Sequence, residues 1–201
     1  TITGTTTEGE TLTATNNLSD VEGVGALAYQ WSSDGVAISG ATGSTYVLQY
    51  TDVGNVVVCT VSYTDGSGNS ESKASSATAT IVNVAPTAVG AMPAVNVDED
   101  SANVIINLSQ YFSHPEAAGD TLGYSTTDAN GSLVTSSITD SSMTLTFLAN
   151  QHGITSYVVN AADTQGTTAS QSFDVTVDSV NDPPTFNSTL NDVTKIDNDS
   201  A

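Results

Sequence analysis

Carboxylates dominate the ionisable groups of this chain: 22 Asp and Glu stand against two Lys and no Arg, a formal net charge of −20. They recur in a fixed order. Glu8, then Asp20-Val21-Glu22-Gly23, then Asp65-Gly66 occupy the first half. Glu99, then Glu116 and Asp120, then Asp163 occupy the second, and Asp178-Ser179-Val180-Asn181-Asp182 follows. Carboxylates and Asn carbonyls are hard oxygen donors, and a calcium ion takes about six to eight of them. Two carboxylates about 4 Å apart repel by roughly 1 kcal/mol in water, and by about 4 kcal/mol at an effective dielectric of ~20. Three or four at one place, with almost no Lys or Arg to pair them, splay apart unless a divalent cation draws them together. The chemistry to look for is oxygen ligation of a cation, with solvated acidic loops as the plainer alternative.

The other reactive residues offer little. His114 and His152 are the only histidines, and Cys59 is the only cysteine. Neither histidine forms a zinc or nucleophile pattern with Cys59, and each reads as a turn residue. Paired carboxylates of the kind that hydrolyse glycosides fall here in loops rather than around a cleft. No Gly-rich phosphate loop occurs, so the expectation is a chain that is not an enzyme. Its charge opposes nucleic acid and anionic membrane surfaces, which require cationic side chains. No apolar run of about 18 residues is present, so no membrane insertion is expected. Cys59, with no His, Lys or Arg near it in sequence, reads as a small buried hydrophobe.

Strands must position these groups. Alternation of period two marks Tyr46–Leu48, Val56–Val61, Met143–Phe147 and Phe173–Val177, and Asp34-Gly35, Asp65-Gly66, Asn130-Gly131 and Gln165-Gly166 supply turns between runs. A further strand is predicted over Ala77–Val82, and no helical apolar period persists. The fold class is all-β, with tandem β-sandwiches. Two similar linkers, Asn83-Val84-Ala85-Pro86-Thr87 and Asn181-Asp182-Pro183-Pro184-Thr185, each lead into a repeated phrase: Val97-Asp98-Glu99-Asp100-Ser101-Ala102 and Ile196-Asp197-Asn198-Asp199-Ser200-Ala201. Proline fixes φ and removes a ladder donor, so each linker marks a strand end and a semi-rigid joint. The predicted units are residues 1–84, 85–182, and the linker and first strand of a third over 183–201. Thr1-Ile2-Thr3-Gly4 carries no signal peptide, and the whole reads as a window cut from a tandem array.

The first unit resembles a bacterial immunoglobulin-like repeat through Tyr29-Gln30-Trp31, Gly40-Ala41-Thr42, Tyr46-Val47-Leu48, Asp52-Val53-Gly54 and Cys59-Thr60-Val61-Ser62-Tyr63. The resemblance implies a core around Trp31, with Leu12, Ile38, Val58 and Tyr46 nearby. Ala14 stands near where antibody-type domains carry their other cysteine, so no disulfide forms. The second unit resembles a cadherin-like repeat of the dystroglycan type through Val97-Asp98-Glu99-Asp100, Leu122-Gly123-Tyr124, Ala162-Asp163-Thr164-Gln165-Gly166 and the linker Asp178–Pro184. That linker is similar to a cadherin calcium motif with one extra residue. His114 stands where the family usually has Asp, and Asn150-Gln151 where cadherins place an acidic pair.

Such repeats alternate in large bacterial surface adhesins, including those of the repeats-in-toxin type. The resemblance therefore implies a calcium-stiffened extender segment of an extracellular adhesin that projects a distal binding domain. Its partners would be calcium and neighbouring repeats of the same chain. A sandwich has two poles, and the loops before the Leu-x-Tyr strand and the last strand should share one. Glu8 and Asn83 should there meet Glu116, Asp120 and Asp163 at the first joint. Glu99, Asp178, Asn181 and Asp182 should face the second. Two other readings remain open. One is a glycan- or peptide-binding module, with Tyr50 and Tyr111-Phe112 as candidate contacts. The other is an accessory segment of a secreted polysaccharide-degrading enzyme.

Overall fold

The computed structural model describes residues 1–115, 119–128 and 131–183. The first unit contains β1 (Ile2–Thr3), β2 (Thr11–Ala14), β3 (Ala28–Ser33), β4 (Val36–Ala37), β5 (Thr45–Val47), β6 (Val57–Thr64) and β7 (Ser70–Ala74). They form sheets of order β1-β2-β5 and β4-β3-β6-β7. The β3–β4 hairpin turns on Asp34 and Gly35, whose φ values of 44° and 82° are the left-handed geometry that matches strand twist. Between the sheets lie Leu12, Ala14, Trp31, Leu48, Val57, Cys59, Val61 and Ile81. The Trp31 ring stacks on Tyr46 at 5.7 Å, and its Nε1 donates to Gly43 O.

Two expectations need correction here. Val58 does not share the core with Cys59. Successive strand residues face opposite sides, and Val57, Cys59 and Val61 point inward. Nor is Ala77–Val82 a regular strand: Ile81 and Val82 make only single parallel bridges, to Val53 and Thr7. Upstream of them side chains interrupt the ladder, since Ser75 Oγ accepts from Cys59 N and Thr78 Oγ1 from Val57 N. Short hydroxyl side chains compete in this way with backbone acceptors.

The second unit contains β8 (Thr87–Ala88), β9 (Val95–Asp98), β10 (Val104–Asn107), β11 (Phe112–Ser113), β12 (Gly123–Asp128), β13 (Val134–Thr139), β14 (Ser142–Phe147), β15 (Gly153–Ala162) and β16 (Thr168–Asp178). Sheets of order β10-β14-β13 and β12-β15-β16-β9 enclose a separate apolar cluster that includes Leu108, Met143, Leu145, Tyr157, Val159 and Val175, with a β11–β8 ribbon beside them. β15 reads buried at every second residue from Thr155 to Ala161, as a half-buried strand must. The protein is thus all-β, with tandem sandwich domains. Among the described residues no helix is long and apolar enough to cross a membrane.

In both units the segment leading to the early glutamate pairs in parallel with the segment by which the chain exits. Thr7 pairs with Val82, and Glu8 N donates to Val82 O at 3.0 Å. β9 pairs with β16, and Glu99 N donates to Asp178 O at 2.8 Å. Glu8 and Glu99 are therefore equivalent, each held beside the linker by which the chain leaves its unit.

A candidate cation centre at the interdomain joint

The first joint gathers residues from far apart in the chain. Glu8 arrives from the first unit and is 2 % exposed, with both carboxylate oxygens lacking a hydrogen-bond partner. His114 follows β11, Asp120 precedes β12, and Asp163 caps the turn between β15 and β16. A ligand atom from each of Glu8, His114 and Asp120 lies within 4.8 Å of the other two. His114 Nε2 sits 3.6 Å from Asp120 Oδ2 and 3.9 Å from Asp163 Oδ2, with the histidine side chain 2 % exposed. The same nitrogen lies 2.7 Å from Val84 O of the linker.

Local structure explains how each group is aimed. Asp163 is fastened by its own turn: Thr167 N donates to Oδ1 at 2.7 Å, and Thr167 Oγ1 donates to Oδ2. Asn83 Nδ2 reaches the same Oδ2 at 2.9 Å, while Asn83 Oδ1 is buried without a partner. Asp120 accepts from Thr164 N through Oδ1 at 2.9 Å and leaves Oδ2 without a hydrogen bond. Burial pushes the Glu8 carboxyl up, and the Asp120 charge pushes it further; the Val84 amide and His114 only partly oppose them. Burial also raises Asp163, but the bonds from Asn83 and Thr167 and the nearby His114 prevail and hold it below the usual range.

The joint is also packed. Gly119, at φ +97°, lies against the Tyr50 ring so closely that a Cβ would stand 2.5 Å from Tyr50 Cε1, so glycine is required twice over. Gln165 Nε2 donates to Tyr50 O at 2.9 Å across the joint. Tyr50 is thus half-buried between the units. Phe112 is 5 % exposed and belongs to the second core, with Tyr111 packed against that core.

The structure brings Glu8, Asn83, Asp120 and Asp163 together; Glu116 lies outside the described residues. His114 is not a turn residue: the joint buries it, because the pole of the second sandwich closes over the linker carbonyl it contacts. At the far pole Glu99 is 9 % exposed, its Oε1 accepting from Val180 N at 2.6 Å and its Oε2 lying 3.7 Å from His152 Nδ1. Asp178, Asn181 and Asp182 are exposed there, and among the described residues they do not gather with Glu99 into a ligand cluster. The repeat of Asp197-Asn198-Asp199 also lies outside the described residues.

One acidic cluster escaped the candidate set drawn from the sequence. Asp20, Glu22 and Asp65 converge at the opposite pole of the first unit. Asp65 heads the same turn as Asp163: Asn69 N donates to Asp65 Oδ1 at 2.7 Å, and Gly68 N to Asp65 O at 3.1 Å. The signal for it was the matched order of acids in the two halves.

No protein-family model matches this chain, and no curated protein is similar to it. Solved structures resemble it only distantly. A mouse cadherin-23 fragment, repeats EC22-24, shares 16% identity over 77% of this chain and 53% of its own, with a TM-score of 0.35. The Sidekick-1 immunoglobulin domains 1-5 share 11% identity over 76% of this chain and 31% of theirs, with a TM-score of 0.35. An endo-fucoidan hydrolase of glycoside hydrolase family 107 shares 15% identity over 68% of this chain and 20% of its own, with a TM-score of 0.34. The chain thus matches from a fifth to about half of the length of these proteins.

Proposed function

We propose that this chain is a non-catalytic extender segment of a bacterial cell-surface adhesin, in which a divalent cation, calcium in the extracellular setting, stiffens the joint between two sandwich repeats. The observation that carries the reading is the buried carboxylate of Glu8. It leaves one domain, enters the pole of the next, meets Asp120 and His114, and makes no well-formed hydrogen bond and no contact with Lys or Arg, the Val84 amide offsetting its burial only in part. Burying a charge without a partner costs several kcal/mol, on the order of the stability of a small domain. A cation removes that cost and joins the two units. Glu8 and Asp120 would hold it, with Asn83 Oδ1 as a neutral donor and Asp163 orienting Asn83. Millimolar calcium outside the cell fills even weak oxygen sites. The acidic surface keeps neighbouring arrays apart.

The test is a calorimetric calcium titration of the chelator-treated chain, paired with small-angle scattering and melting. One equivalent is expected to bind, to narrow the interdomain angle distribution, and to raise the melting temperature of the second unit more than the first, since a ligand stabilises what it binds. Glu8→Ala, which removes two free ligand oxygens, should abolish the site, and Asp163→Ala, which frees only the Asn83 amide, should weaken it. Identical scattering and melting in calcium and in chelator would leave the joint to proline and packing alone.

A further inference from the structure

We infer that the first joint prefers a nitrogen-accepting divalent cation of the zinc class to calcium, with His114, Glu8 and Asp120 as its ligands. This rests on the reading of the joint as a cation site. The donor inventory decides between the two ion classes. Calcium requires about six to eight oxygens. At the joint four buried oxygens lack a hydrogen bond: Glu8 Oε1 and Oε2, Asp120 Oδ2 and Asn83 Oδ1. The others are committed, with Asp120 Oδ1 to Thr164 N, both Asp163 oxygens to Thr167 and Asn83, and Val84 O to His114. Water cannot easily complete a calcium shell, because the side chains of His114 and Asp120 are 2% and 0% exposed. Two carboxylates and one imidazole instead match a zinc site of three protein ligands, with the fourth of its roughly four positions left open.

The imidazole itself points the same way. Its 2.7 Å contact with Val84 O is made by the Nε2–H, the same nitrogen that lies 3.6 Å from Asp120 Oδ2, so a neutral ring carries its lone pair on Nδ1, a buried atom with no partner, and ligation by His114 runs through Nδ1. Donation of one ring N–H to a backbone carbonyl is how metal-ligating histidines are commonly fixed in tautomer. A nitrogen ligand suits zinc, cobalt or nickel and is foreign to calcium.

The second histidine repeats the pairing. His152 Nδ1 lies 3.7 Å from Oε2 of Glu99, the structural equivalent of Glu8. Both histidines of the chain therefore sit against the glutamate that guards a domain exit, although they come from different loops.

The test titrates the EDTA-treated, dialysed chain with zinc and with calcium by calorimetry. Melting is followed in parallel for the wild type, His114→Asp and His152→Gln. Zinc should bind one equivalent at the joint at least tenfold tighter than calcium and raise the melting temperature of the second unit. His114→Asp should reverse the order by trading nitrogen for oxygen, and His152→Gln should leave it unchanged. Cobalt(II) added to the wild type should give hyperfine-shifted imidazole resonances, a readout that holds even if His114→Asp fails to fold. Calcium bound as tightly as zinc, or cobalt without imidazole shifts, would overturn the zinc preference and leave the cation-clamped joint standing. Zinc binding that survives His114→Asp and disappears in His152→Gln would also overturn it. No binding of either metal would overturn both readings.

Discussion

Cys59 is 1 % exposed, and burial pushes its thiol up, so it behaves as a core methyl-sized hydrophobe rather than a reactive group. Cys59→Ala should cost about 1–2 kcal/mol, from lost apolar burial and a small cavity. The native thiol should react with a labelling reagent far more slowly than in the unfolded chain; equal rates would refute its placement. Half-buried acids at the opposite pole carry a different signature. The Tyr63 hydroxyl and the Glu22 amide bond the Asp20 carboxylate, and Asn69 bonds that of Asp65, so both are held below the usual aspartate range. A lowered carboxyl contributes stability above its unfolded value and loses it as pH falls through the folded one. Carboxyl-detected NMR titration should therefore find both ionised below the ordinary value of 3.8. Titration of either at or above that value would contradict the hydrogen bonds described for them.

At the scale of elements, the last segment of the first unit is the departure from regular pairing. Thr78 Oγ1 takes the amide of Val57, and Ser75 Oγ takes that of Cys59, both on the core strand β6. Removing one acceptor beside a buried strand leaves an amide unsatisfied, at about 1–3 kcal/mol. Thr78→Val keeps the shape and removes the acceptor, so it should lower the melting temperature of the first unit and leave the second unchanged. Protection of the Val57 amide in hydrogen exchange should fall with it. Unaltered protection would mean that the ladder re-pairs through backbone.

For the whole molecule, the joint couples folding to charge. Glu8 is raised above its usual value of 4.5 by burial and by Asp120. A raised carboxyl binds its proton more tightly in the folded state, so stability falls as pH rises from the unfolded value through the folded one. In chelator, acidification through that window should tighten the joint, and Glu8→Gln should remove the dependence. The same variant should be more stable than wild type in chelator at neutral pH, by lifting an unpaired buried charge. It should gain little from added cation. Scattering and two-transition melts across pH 4 to ~7 read both effects; a wild type and variant with superimposable profiles would show that Glu8 bears no unpaired charge.

Alternation at β6, β14 and β16, the Asp34-Gly35 hairpin and the duplicated proline linkers made the all-β tandem arrangement legible in the sequence, because period and turn chemistry are local properties of the chain. The parallel recurrence of Glu8 with Glu99, and of Asp65 with Asp163, was legible for the same reason. Tertiary structure alone decided which of these acids meet. Glu8 and Asp120 become neighbours only because Thr7 pairs with Val82 and the second sandwich docks its pole, through Gly119 on Tyr50, against that exit. His114 shows the difference most sharply: directly after a short strand it has the sequence context of a turn, yet the docked pole buries it against a linker carbonyl and three carboxylates. Side-chain burial at a joint depends on two domains at once, and no local pattern in either one encodes it.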